Sequence, residues 1–295
     1  MNSGRKLTAT TLGMLAILGM TTSCSSSNRL SIVHFDQTIL GDTQKDLGVS
    51  IGIKKGNTTL QTALNGVLSG ISQETRNTWM TEALERSTSD NVKGSGEIIT
   101  EATEDKDKFT LTVGLECDYA PFNWTDVTPN SFTYPIDGQT KQYANGYDVT
   151  IAKYLAQNLQ YNLKIVKLEW DALIPALNNG TINAVIAGMT DTEERRLSID
   201  FTDEYYRSEM VLVVKENSKY ATATSLADFA NAKIVSQVST VTDDVISDWA
   251  KAYNVNHLNA MDSFAVCAAA VMSGTADAMT AELPVATSIV NGANR

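Results

Sequence analysis

The sequence is short of the residues from which most reactive sites are built. Its 295 residues include 3 cysteines and 2 histidines. Cys24 sits in an N-terminal leader, which leaves Cys117 and Cys267 at no paired spacing. Neither a disulfide framework nor a zinc site is indicated. His34 and His257 are too few for a histidine metal cluster. Basic residues are also scarce: 23 Lys and Arg stand against 34 Asp and Glu, a net charge of −11. No basic stripe interrupts that balance, so nucleic acid is not an expected partner. No apolar run approaches the roughly 20 residues that a membrane-spanning helix needs. A nucleotide-cradling glycine loop, a Gly-x-Ser-x-Gly elbow and metal-ligand spacing are all missing, and no cofactor is expected.

What is there begins with "MNSGRKLTATTLGMLAILGMTTSC", residues 1–24. Arg5 and Lys6 give it a basic start, Leu12 to Met20 form a short apolar run, and small residues precede Cys24. This reads as a secretory signal. Ser25, Ser26, Ser27 and Asn28 follow as a polar leash. The segment resembles a bacterial lipoprotein signal, with Thr21 where such signals usually carry leucine. The resemblance implies lipidation at Cys24, a lipid anchor in the membrane, and a place on the extracellular face of the cell membrane or in the periplasm.

Beyond the leader, strand and helix patterns alternate. "FTLTVGL" (109–115) and "NLKIVKL" (162–168) predict strands, "VTIAKYLAQNL" (149–159) predicts a helix, and "WDALIPALNNG" (170–180) predicts a helix stopped by an Asn-Gly turn. "NAVIAGM" (183–189) suits a buried parallel strand. The rhythm continues through "EMVLVVK", "KIVSQV" and "TDDVISDWAKAY" to "ADAMTAE" at 276–282. Such alternation predicts an α/β fold. Residues 87–108, rich in Ser, Thr, Gly and charge, read as a flexible linker between a head piece (30–86) and the main run.

Several stretches of the main run resemble one family. "ECDYAPFNW" (116–124), "GYDVTIAKYLAQNL" (146–159), "WDALIPALNNGTINAVIAGMTDTEERRLSIDFTDEYY" (170–206) and "DAMTAELPVA" (277–286) are similar, in order, to bacterial extracellular solute-binding proteins of the polar amino-acid cluster that serve ABC importers. Thr150 replaces that family's acidic residue, and Val238 replaces a usual glycine. The family's closing segments are found instead at the front: "LSIVHFD" (30–36), "LGVSIGIKKGN" (47–57) and the helical 58–84. The resemblance therefore implies a circularly permuted, two-lobed Venus-flytrap fold (periplasmic binding protein-like, type II) with a ligand cleft between the lobes. Lobe 1 would combine 45–86 with 109–207, and lobe 2 would combine 30–44 with 208–295. Hinge crossings fall near 208 and 44, and 87–108 joins the usual termini. A tandem array, the tail of one copy followed by a truncated second, is the rival explanation of the order.

The function implied is capture of a polar or cationic L-amino acid (arginine, lysine, histidine or glutamine) and delivery to an ABC transporter permease. Arg195, which within "EERR" would otherwise read as a solvated helix residue, falls at the family's carboxylate clamp. Ser239 and Thr240, before the helix at 242, fall at the second carboxylate contact. Glu282 falls at the ammonium contact, with Thr190 and the carbonyl of Gly188 completing it and Met189 between them. Tyr119 and Trp170 match the aromatic pair that sandwiches the ligand side chain. Glu116 aligns with a position where that family can place an acidic group toward the distal end of the ligand. Trp124 and Asp148 could line or support the site. Two alternatives remain open at this point: a dehydratase-like cleft enzyme using Glu116 or Glu282 as acid or base, and a ligand-sensing receptor domain.

Overall fold

The computed structural model describes residues 28–40, 47–89 and 94–295. The signal segment with Cys24, the expected crossing near 44 and linker positions 90–93 lie outside the described residues. In chain order the strands are β1 (Leu30–Val33), β2 (Gly48–Lys54), β3 (Thr110–Leu115), β4 (Asp118–Tyr119), β5 (Asn123–Asp126), β6 (Tyr134–Pro135), β7 (Tyr143–Asn145), β8 (Asn162–Lys167), β9 (Ala184–Val185), β10 (Ile199–Arg207), β11 (Met210–Lys215), β12 (Lys233–Val235), β13 (Asn256–His257) and β14 (Ala278–Glu282). The helices are α1 (Thr58–Leu68), α2 (Gln73–Thr88), α3 (Tyr147–Leu159), α4 (Leu173–Asn179), α5 (Glu193–Arg196), α6 (Val241–Tyr253), α7 (Phe264–Ser273) and α8 (Leu283–Ala293).

Two mixed five-stranded sheets organise two lobes. One has the order β10-β2-β9-β3-β8, the other β1-β11-β14-β12-β13. In the first, β3 runs parallel to β8 and β9, while β2 is antiparallel to both β9 and β10. In the second, β12 runs parallel to β13 and β14, while β11 is antiparallel to β14 and β1. A small sheet of order β4-β5-β7-β6 extends the first lobe. The head piece thus supplies one strand to each sheet. Six of the seven residues of β2 are buried, as expected for a strand flanked on both edges. Ser208 and Glu209 alone separate β10 from β11, so the chain changes sheets there.

Local chemistry explains the elements that carry the cleft. In α3, Val149, Ile151, Ala152, Leu155 and Ala156 are buried on one stripe, and Gln160 ends the helix in the left-handed region. The helix expected over 170–180 opens as a 3₁₀ turn at Trp170–Ala172 before α4, and Gly180 at φ 84° closes it where the Asn-Gly turn was expected. Linker residues 94–108 form neither helix nor strand, yet they are fastened. The Asp105 N–H donates to Asn162 Oδ1 at 3.0 Å, and Asn162 Nδ2 donates to the Asp105 carbonyl at 2.7 Å. Leu30 is held by Asn294 in the same two-way manner, at 2.8 and 2.9 Å.

The larger apolar cluster runs through both lobes, taking in Ile51, Val113, Tyr119 and Phe122 on one side and Phe264 and Met279 on the other. A second cluster, with Val33, Leu212, Phe229 and Trp249, is confined to the far side of the second lobe. Among the described residues, no helix is long and apolar enough to cross a membrane.

Candidate functional site

The parallel strands of both lobes direct their carboxyl ends toward one crevice, the position at which open α/β sheets bind ligands. Glu116 directly follows β3, Trp170 lies just past β8, Gly188 and Thr190 follow β9, Gln237 follows β12, and Glu282 ends β14. Eight of the expected residues (Glu116, Tyr119, Trp170, Gly188, Thr190, Arg195, Thr240 and Glu282) line a small enclosed cavity of about 20 Å³, together with Gln237, Val241 and Phe264. Met189 and Ser239 are placed elsewhere. Both line an outer cavity of about 380 Å³ at the mouth, which shares Trp170, Arg195 and Val241 with the inner one. The outer cavity is larger, but the inner one holds the buried ionisable groups; at about 20 Å³ it has room for no more than a water, so a larger ligand would occupy it only with the lobes moved apart.

The lobes meet across this cavity. Tyr119 donates its hydroxyl to Glu282 at 2.5 Å, and Gln237 Nε2 donates to Glu116 at 2.9 Å. Arg195 Nη1 donates to the Thr190 carbonyl and hydroxyl, and Nη2 donates to the Ser239 carbonyl at 2.9 Å. Trp170 Nε1 donates to the same Ser239 carbonyl at 3.2 Å, while the Arg195 guanidinium lies 5.4 Å above the Trp170 ring. Thr240 caps α6 by accepting from the Asp243 N–H, and its hydroxyl donates to the Gln237 carbonyl.

Two of these residues have their groups engaged within the protein. Tyr119 does not present a free face to a ligand side chain. Its ring is stacked on Phe122 at 5.2 Å and on Phe264 at 5.0 Å, so its hydroxyl rather than its face serves the cavity. The Ser239 carbonyl, on a residue held at φ 59°, accepts from two donors, Trp170 and Arg195.

Burial tunes the acids. Glu116 is pushed up to about 7, chiefly by desolvation, with Asp118 and Glu169 adding and Gln237 and Lys167 opposing. Glu282 is also raised by desolvation, which the Tyr119 hydroxyl and Arg195 partly offset. Gly188 sits at φ 60°, and a Cβ there would come within 2.7 Å of the Tyr119 ring, so only glycine fits. Burial lifts the Cys117 thiol to about 12, which makes it inert rather than nucleophilic. Among the described residues no three His, Cys, Asp or Glu side chains could hold a metal ion.

Gln237 and Phe264 were not foreseen as site residues. Gln237 is 1% exposed and follows a buried strand, and a buried amide at the carboxyl end of a parallel strand was the available signal. Phe264 carried no such signal, being one apolar residue at the start of an apolar helix.

Two lobes that meet over a crevice at their strand ends define a periplasmic binding protein-like α/β protein of the second type. The chain belongs to the bacterial extracellular solute-binding proteins, family 3, whose profile matches residues 111–264. It is 38% identical over 108 residues to the L-arginine-binding protein of Pseudomonas aeruginosa, covering 37% of each chain. It is 28% identical over 186 residues to the ABC transporter glutamine-binding protein GlnH of Bacillus subtilis, covering 62% of this chain and 65% of that one. The chain thus spans less than two thirds of the length of either relative. Among solved structures, an ancestral arginine-binding protein bound to arginine superposes with a TM-score of 0.51 at 31% identity, over 60% of this chain and 71% of the other.

Proposed function

We propose that this chain captures a free L-amino acid with a cationic side chain, arginine first among them, and presents it to an ABC importer. The observation that carries the reading is the charge of the inner cavity: two buried carboxylates, Glu116 and Glu282, face one guanidinium, Arg195. When ionised they leave one negative charge over, and a buried charge needs a partner. A cationic amino acid carries one carboxylate and two cations and closes the balance, whereas a neutral one leaves a carboxylate uncompensated. Its carboxylate would turn to Arg195 and the amino end of α6, its ammonium to Glu282, Thr190 and the Gly188 carbonyl, and its side chain to Glu116 and Gln237. Each end would be held by both lobes, so binding would favour the closed form. Lipidation at Cys24 and a permease partner complete the reading.

We also infer that the chain is a circular permutation, with lobe 1 formed by 45–86 and 109–207, lobe 2 by 30–44 and 208–295, and 87–108 as the joint. In support, β2 and β1 complete the two sheets from the front of the chain, and the superposition on the ancestral arginine-binding protein covers 60% of it.

A thermal-shift screen against the twenty amino acids tests both ideas. Arginine at 100 times its dissociation constant is expected to add about 2.7 kcal/mol, a rise of roughly 5–10 °C for a chain of this size. A chain re-cut to run 109–295 and then 28–86, joined where Leu30 meets Asn294, is expected to show the same rise. No shift with any amino acid would overturn the function, and a re-cut chain that cannot fold would overturn the permutation.

A further inference from the structure

Beneath the cavity lies a carboxylate with no part in the contacts proposed above. Asp148, in the first turn of α3, is fully buried, as are Asn123 and Tyr205 beside it. Tyr205 donates its hydroxyl to Asp148 Oδ1 at 2.7 Å and accepts from the Gly188 N–H at 3.0 Å. Asn123 Nδ2 donates to Asp148 Oδ2 at 2.8 Å, and Asn123 Oδ1 accepts from the Cys117 N–H at 2.6 Å. Two arms thus leave one carboxylate, and each ends on the backbone of a residue held at positive φ: 58° at Cys117 and 60° at Gly188. For a residue with a side chain such a conformation is costly and needs outside support. Cys117 follows Glu116, and Gly188 carries the carbonyl assigned to the ligand ammonium. An ionised carboxylate only accepts, so it fixes the direction of every hydrogen bond in both arms.

We propose that Asp148 is a positioning residue that sets the Glu116 turn and the Gly188 turn relative to each other, so that one buried carboxylate aligns the grips on both ends of the ligand. The ligand side of this inference rests on the amino-acid reading of the cleft. The alignment itself rests on the hydrogen bonds alone.

The test combines amide hydrogen exchange of the unliganded protein with affinities for arginine and glutamine. Asp148→Asn replaces one acceptor by a donor: its NH2 faces either the Asn123 N–H, which breaks that arm, or the Tyr205 hydroxyl, which must then turn its own proton out of the network. The Cys117 or Gly188 amide is expected to exchange about tenfold faster or more, and arginine to bind about tenfold more weakly or worse. Tyr205→Phe removes the hydroxyl link and leaves the Gly188 amide only its direct approach to Asp148, so it is expected to speed exchange at Gly188 and not at Cys117, weakening arginine and glutamine alike. The double variant Asn123→Asp, Asp148→Asn restores every donor–acceptor pairing and is expected to recover both readouts. A merely structural role would instead speed exchange uniformly along β3 and α3. Wild-type exchange at Cys117 and Gly188 in Asp148→Asn, or a folded double variant that recovers neither readout, would overturn the proposal. Amides that respond as stated in a protein that binds no amino acid would leave the alignment standing and remove the cleft reading.

Discussion

Replacing Arg195 by alanine is expected to weaken amino-acid binding by more than 100-fold, the largest effect of any single change in the cleft. Arg195 is half-buried, and a ligand carboxylate would complete its burial; truncating one partner of such a buried, hydrogen-bonded charge pair costs about 2–5 kcal/mol, because the other charge is left unpaired. Here the loss is compounded, since Arg195 also ties Thr190 in the first lobe to the Ser239 carbonyl in the second. Arg195→Lys should recover only part of the affinity, because an ammonium cannot serve the Thr190 and Ser239 directions as a planar fork does. Titration calorimetry with arginine separates these outcomes. Affinity within tenfold of wild type in Arg195→Ala would remove the clamp from the reading.

Glu116→Gln is expected to act on selectivity rather than on binding as such. The amide keeps the size of the side chain and can still face Gln237, so glutamine should bind within a fewfold of wild type. Arginine loses a buried counter-charge and should weaken by about 100-fold. Equal losses for the two ligands would mean that Glu116 does not face the side chain.

The same carboxylate is expected to make arginine affinity depend on pH. Its folded value of about 7 lies above the ordinary 4.5, so the unliganded protein holds a proton there that the unfolded chain gives up. The sign follows: stability from this group is full below about 4.5 and falls away as pH rises through about 7, by roughly 3 kcal/mol in all. A cationic ligand needs the ionised form and displaces that proton. Arginine affinity should therefore rise about tenfold per pH unit between 5 and 7 and level off above, with proton release visible in buffers of different ionisation enthalpy. Asp118, Glu169 and Lys167, which also act on Glu116, set where the plateau begins. A pH-independent affinity for arginine would sink this assignment.

The fold was legible because its strands are short apolar runs with little helical periodicity, "MVLVVK" and "TLTVGL" among them, separated by helices whose stripes are clear, although of the strand expected over 183–189 only Ala184 and Val185 pair. The sheet assignment of the head piece could be read only through resemblance, since nothing in "GVSIGIK" names its neighbours. The site was legible by type and less so by orientation. Arg195 within "EERR" carries no mark of a cleft residue until the fold turns it toward Ser239. What was lost depends on partners far apart in the chain. Gln237 reaches Glu116 across 121 positions, and the face of Tyr119 is taken by Phe264 from the other lobe. No local pattern encodes such pairings, because they exist only once two independently patterned lobes have met.

That meeting is itself apolar. The larger core does not stop at the cleft but passes through it, so separating the lobes must wet Phe264 and the ring of Tyr119. Domain closure then carries the calorimetric signature of hydrophobic burial, a negative heat capacity, beyond anything the ligand's own surface contributes. Near room temperature such burial is driven by the entropy of released water. Warming should thus tip the empty protein toward its shut form, making temperature, alongside ligand concentration, a control on how often the cleft stands open to receive a solute.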